Sequence, residues 1–198
     1  MDKNAIKSWE DMAAASDRYR RRLAAAAAAP GTKILPYRRG HGAALVAALA
    51  AQFAGARTTL IVAPPAARHS YAMQLEQAGY NVVLIPAEKD AMGDACRDAC
   101  GYAGQALRVY MCIPRQTAEA GHWLDAWRGG KPFGLVVLEA QDHKNLRSER
   151  GIGLKALADR AGMAVLMVSD EIDPSNVETL RRNWDAALVH IDPARDDG

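Results

Sequence analysis

The chain has 198 residues, 49% hydrophobic and 24% charged, which suits one domain with a buried core and leaves little for a second. Its 25 basic and 23 acidic side chains leave a net charge of +2, too even to mark a nucleic-acid binder by charge alone, though a local basic patch stays open. No apolar run approaches the ~18 residues of a membrane-crossing helix, and Met1-Asp2-Lys3-Asn4 lacks a signal peptide's basic-then-apolar order. No membrane association and a cytoplasmic location are therefore expected.

In chain order, Ser8 to Ala29 reads as a helix, with an alanine run closed by Pro30-Gly31. Lys33 to Pro36 is a short strand, Tyr37 to Gly42 a loop, and Ala43 to Phe53 an Ala/Leu-rich helix. Thr58–Ala63 is a β-branched strand ended by two prolines, Ala66–Ala78 a helix, Asn81–Ile85 a strand and Asp90–Cys100 a short helix. Leu107–Cys112 is a strand and Gln116–Trp127 a helix. Phe133–Leu138 is the clearest strand; polar Glu139–Arg150 reads as a loop and Gly153–Ala161 as a helix. Met163–Val168 is a buried strand, Pro174–Trp184 a helix and Ala187–Ile191 a last strand before the polar tail 192–198. Apolar strands alternating with helices predict one α/β domain with a mostly parallel sheet, helices on both faces and right-handed crossovers.

Three cysteines, Cys96, Cys100 and Cys112, are an odd count that fits a reducing compartment. Cys96 and Cys100 share a helix face but lack a second ligand pair at metal spacing, so they read as packed or idle thiols. His122, His143 and His190 are far apart, and no metal is expected.

Ligands of such sheets sit beyond the carboxyl ends of the strands. After the first strand comes Pro36-Tyr37-Arg38-Arg39-Gly40-His41-Gly42, leading into a helix, the strand–loop–helix context in which backbone N–H groups cradle phosphates. Ile34 to Ala50 resembles the Walker A segment of superfamily-two helicases and translocases, usually Leu-Pro-Thr-Gly-x-Gly-Lys-Thr. Aligned on Pro36 and Gly40, Arg38 takes the place of the first glycine, His41 that of the lysine and Gly42 that of the Mg²⁺-binding hydroxyl. A histidine is shorter than lysine and largely neutral, and glycine offers Mg²⁺ no ligand.

The resemblance runs on. Tyr19-Arg20-Arg21 lies where such proteins read adenine, without the glutamine. Leu60-Ile61-Val62-Ala63-Pro64 and Cys112-Ile113-Pro114-Arg115-Gln116-Thr117 resemble strand ends that contact nucleic acid in the family. Val136-Val137-Leu138-Glu139-Ala140-Gln141 resembles the Walker B box Asp-Glu-Ala-His, with Leu138 for the aspartate and Glu139 kept. Val168-Ser169-Asp170 takes the place of the Thr-Ala-Thr segment. The similarity implies a single three-layer RecA-like P-loop NTPase domain over the whole chain, without the second lobe that completes the ATP site. The twin arginines before Gly40 bear a weaker resemblance to the ATPase domain of phage terminase large subunits, which implies a phage or mobile-element setting.

A loop lacking lysine, hydroxyl and Walker B aspartate together lacks the groups that position and stabilise phosphoryl transfer. The resemblance thus implies a degenerate phosphate loop, Arg38, Arg39, Gly40, His41 and Gly42, with no ATP cofactor and Glu139 as a catalytic relic. The loop could still hold a phosphate, or face solvent or a partner. Arg18, Arg21, Arg22, Arg68, Arg115, Lys144 and Arg147 are the candidate nucleic-acid contacts; the bland reading of the first three is a helix face paired with Asp11 or Asp17. The expected function is a catalytically inactive helicase-like domain that binds nucleic acid or a protein partner in a DNA-processing machine. The alternatives are an ATPase subunit of a packaging or translocating motor completed by other chains, and an unrelated α/β enzyme using Glu139, Asp142 and His143.

Overall fold

The computed structural model describes residues 16–37, 42–88, 91–101, 106–118, 133–169 and 171–189. Helix α1 covers residues 16–27. It is followed by β1 (Thr32–Tyr37), α2 (Ala43–Phe53), β2 (Thr58–Val62), α3 (Arg68–Gln77), β3 (Asn81–Leu84), α4 (Ala91–Gly101) and β4 (Arg108–Cys112). After a 3-10 turn at Pro114–Thr117 come β5 (Phe133–Val137), a second 3-10 turn at Ala140–His143, α5 (Glu149–Ala158), β6 (Met163–Ser169), α6 (Pro174–Trp184) and β7 (Ala187–Leu188).

The seven strands form one sheet in the order β3-β4-β2-β5-β6-β1-β7, with every described pairing parallel. From β1 to β2 to β3 the chain steps one way across the sheet; from β3 to β4, β5 to β6 and β6 to β7 it steps the other way. Right-handed crossovers then put α2 and α3 on one face and α4, α5 and α6 on the other. The core divides accordingly. Leu23, Leu35, Ala47, Ile61, Leu75, Val136 and Met167 belong to one apolar cluster. Ile34, Leu60, Met92, Leu135, Leu154, Leu166 and Leu180 belong to the other. Neighbouring residues of one strand thus face opposite layers, as the pleat requires. The result is a three-layer α/β architecture of the RecA-like kind, its sheet parallel in every described pairing.

Local chemistry explains the helix ends. Gly42, at φ 74°, enters α2 in the left-handed region open to glycine. The Asp173 carboxylate accepts from the Ser175 N–H at 2.7 Å, and Pro174 opens α6. Two expectations need correction. Glu139–Arg150 is not all loop: it holds the 3-10 turn Ala140–His143 and the first residues of α5. Helix α5 begins at Glu149 rather than Gly153, because Ser148 caps it by accepting from the Gly151 N–H at 3.1 Å. Gly151 and Gly153 lie inside the helix, where a Cβ on Gly153 would overlap the Thr117 carbonyl oxygen. The helix expected over Gln116–Trp127 opens as the 3-10 turn Pro114–Thr117, and its remainder from 119 onward lies outside the described residues. So do residues 8–15 of the first helix, the last strand beyond 189 and the polar tail. No described helix is long and apolar enough to cross a membrane. Cys96 and Cys112 are buried, unbridged thiols, and burial pushes the Cys112 thiol well above its usual range.

Candidate functional site

Strands β1 and β6 are neighbours whose crossovers leave in opposite directions, so the sheet has its topological switch point there, beside β5. A cleft of about 450 Å³ opens at this carboxyl edge on the α2–α3 face, lined by Arg20, Tyr37, Gly42, Tyr71, Gln74 and Glu139. Each wall comes from a different element: Arg20 from α1, Tyr37 from the end of β1, Gly42 from the start of α2, Tyr71 and Gln74 from α3, Glu139 from the end of β5.

The floor is a hydrogen-bonded cluster. Tyr37 Oη donates to Glu139 Oε1, bridging residues 102 apart in sequence and strands separated by β6. Gln141 Nε2 donates to Glu139 Oε2 at 2.6 Å. Both oxygens of the carboxylate therefore hold a protein donor. Burial first, then the bond to Glu139 and the adjacent Tyr71, push the Tyr37 hydroxyl well above the ordinary phenol range. The Glu139 backbone is left-handed, at φ 52°. Leu138, one residue earlier, is 1% exposed and belongs to the apolar cluster that contains Ala43 and Ala44 of α2. The two bonds fix the carboxylate in place, and the buried leucine beside it offers a cation no ligand.

Arg38, Arg39, Gly40 and His41 lie outside the described residues; Gly42 lines the cleft. Of the candidate nucleic-acid contacts, Arg68 Nη1 donates to the Ile85 carbonyl at 2.8 Å and Arg115 Nη2 to the Ala87 carbonyl at 3.0 Å. Arg21 pairs with Asp17 at 2.8 Å; Asp11 lies outside the described residues. Lys144 Nζ donates to Asn176 Oδ1 at 2.7 Å. Arg18 and Arg147 are exposed and Arg22 is half-buried. Helix α1 packs with the α2–α3 layer through Leu23, Ala24 and Ala27. Lys144 instead reaches α6, in the opposite layer. The basic candidates are thus spread over both faces of the sheet.

Glu139, Asp142 and His143 are not gathered into one cleft. Glu139 lines the cleft above, while Asp142 and His143 line a second one of about 590 Å³ with Pro64, Pro114, Asn145 and Ser148. Burial lowers the His143 pKa, with Asp142 opposing and Arg150 reinforcing the shift. Among the described residues, no group of three His, Cys, Asp or Glu side chains is placed to hold a metal ion.

On the sequence alone, the partners of Glu139 have no functional part: Tyr37 falls in the loop after the first strand, and Gln141 only departs from the Walker B pattern. Their pairing crosses most of the chain, and no local spacing signals it. Comparison of the sequence with protein-family models and with curated proteins gives no match.

Proposed function

We propose that this chain is a pseudo-ATPase: a RecA-like domain that has lost nucleotide chemistry and works by binding a protein partner within a DNA-processing assembly. The observation that carries the reading is the Tyr37–Glu139–Gln141 cluster. The resemblance places Glu139 where a motor would orient its water, and here that carboxylate is held by a tyrosine on one oxygen and an amide on the other. The adjoining position, where an aspartate would engage Mg²⁺, is the buried Leu138. Phosphoryl transfer depends on positioned charge rather than covalent help from the protein, so losing these groups together removes the chemistry while leaving the fold.

A protein partner is favoured over nucleic acid by the placement of the cations. Arg68 and Arg115 donate to the backbone carbonyls of Ile85 and Ala87, and Lys144 belongs to the other face. Backbone binding needs several cations on one surface. A phosphate-release assay with Mg-ATP, run alone and with single- and double-stranded DNA, tests the reading. No turnover above the blank is expected. Turnover that Glu139→Gln abolishes would overturn it.

A further inference from the structure

Strand β3 ends the sheet, and its only strand partner among the described residues is β4. Outer strands are usually protected by charge, proline, a bulge or brevity, because their unpaired N–H and C=O groups can template another strand. The opposite outer strand, β7, covers two of the described residues. Strand β3 reads Asn-Val-Val-Leu, with neither charge nor proline, and both of its valines are only half-buried. Beside it a groove of about 510 Å³ runs between β3 and α4. Its floor is apolar, from Val83, Ile85, Ala91 and Ala95, and its rim is acidic, from Glu88, Asp94 and Asp98.

The rim is set on firm ground. Three successive carbonyls after β3 are each held by a side chain: Ile85 by Arg68 at 2.8 Å, Pro86 by Gln116 at 2.6 Å and Ala87 by Arg115 at 3.0 Å. Glu88 follows directly, exposed, on this braced segment. Asp94 is bonded by Arg97 on the same helix, with both side chains at least 70% exposed, a pairing weak enough to exchange for another cation. Asp98 accepts from Tyr110 Oη at 2.7 Å and lies 3.2 Å from Arg108, which fixes its carboxylate while leaving it further acceptor capacity.

We propose that the outer edge of β3, together with the β3–α4 groove, takes an extended segment of a partner protein that alternates basic and apolar side chains. The segment pairs its main chain with β3, so its alternate residues face opposite sides of the sheet. Its lysine or arginine stems lie along the Val83–Ala95 floor on the α4 face, with their charges at Glu88, Asp94 and Asp98, and its apolar side chains rest beside the half-buried Val82 and Leu84 on the α3 face. A braced rim is already ordered before binding, which lowers the entropic cost of association. The inference deepens the protein-binding reading above and rests on it.

The test uses the full chain and a fluorescent octapeptide alternating lysine and valine, followed by anisotropy. Saturable binding is expected, about tenfold weaker to Glu88→Lys/Asp94→Lys. It should be absent for the peptide with glutamate in place of lysine, and for one N-methylated at alternate residues. Both substitutions lie on the surface, and circular dichroism checks that the variant folds. No binding, or binding indifferent to charge reversal, N-methylation or the double substitution, overturns the inference. So does sedimentation showing a dimer that the peptide dissociates, because β3 then pairs with a second copy. A fluorescent Mg-ATP analogue and a single-stranded oligonucleotide run in parallel. Binding of either overturns the broader reading whatever the peptide does, whereas peptide failure with both silent overturns the β3 proposal alone.

Discussion

Glu139 sits in a backbone conformation that costs a non-glycine residue about 1–3 kcal/mol, at φ 52°. Two hydrogen bonds to its carboxylate, from Tyr37 and Gln141, hold it there. A hydrogen bond to a charged group contributes about 1.5–3 kcal/mol. Tyr37→Phe is therefore expected to lower stability by roughly that amount, read by urea denaturation near neutral pH. The same residue gives a pH dependence with a defined sign. Burial and the bond to Glu139 raise its hydroxyl above the ordinary phenol value of 10.0 in the fold, so the neutral form is favoured when folded. That contribution is fully present below pH 10 and is lost as pH rises further. The phenylalanine variant should lack this share of the alkaline destabilisation. An unchanged midpoint in urea at neutral pH would show that the Tyr37–Glu139 bond does not support the fold.

At the scale of elements, helix α5 makes the sharpest demand on sequence. Gly153 lies where α5 presses on the 3-10 turn Pro114–Thr117, and a Cβ there would overlap the Thr117 carbonyl oxygen. Backbone cannot step aside as a side chain tip can. Gly153→Ala should thus destabilise by about 1–3 kcal/mol or more, despite alanine's better helix propensity. A thermal melt checks this, since a chain of this size shifts by about 2–4 °C per kcal/mol; a rise in Tm would contradict the packing.

The same helix shows where sequence reading reached its limit. Helices α2 and α6 were readable to the residue, because glycines bracket an Ala/Leu run in one and proline opens the other. The start of α5 lies earlier than the sequence suggests because the polar run up to Arg150 reads as loop, while Ser148 caps a helix within it; the closeness of Gly153 to the Thr117 carbonyl explains a glycine inside that helix. The strands were readable as apolar runs because both of their faces are covered. The Tyr37–Glu139 bond was not readable: it depends on β6 lying between β1 and β5, a sheet order that no local pattern encodes.

For the molecule as a whole, the sheet order decides what the basic and acidic residues can do. Stepping the chain both ways from the β1–β6 switch point places α1 in one layer, and α6, with which Lys144 bonds, in the other. Positive side chains that look like one set along the sequence are thereby divided. The acidic rim of the β3–α4 groove, by contrast, is assembled from adjoining segments at one outer edge. The fold thus opens a cleft at the carboxyl edge of the sheet, bonds the Glu139 carboxylate there to Tyr37 and Gln141, and leaves β3 with a single strand partner among the described residues. The most direct test of this account is isothermal titration of the chain with Mg-ATP. The account predicts no binding heat beyond dilution; saturable binding at micromolar concentration would contradict it.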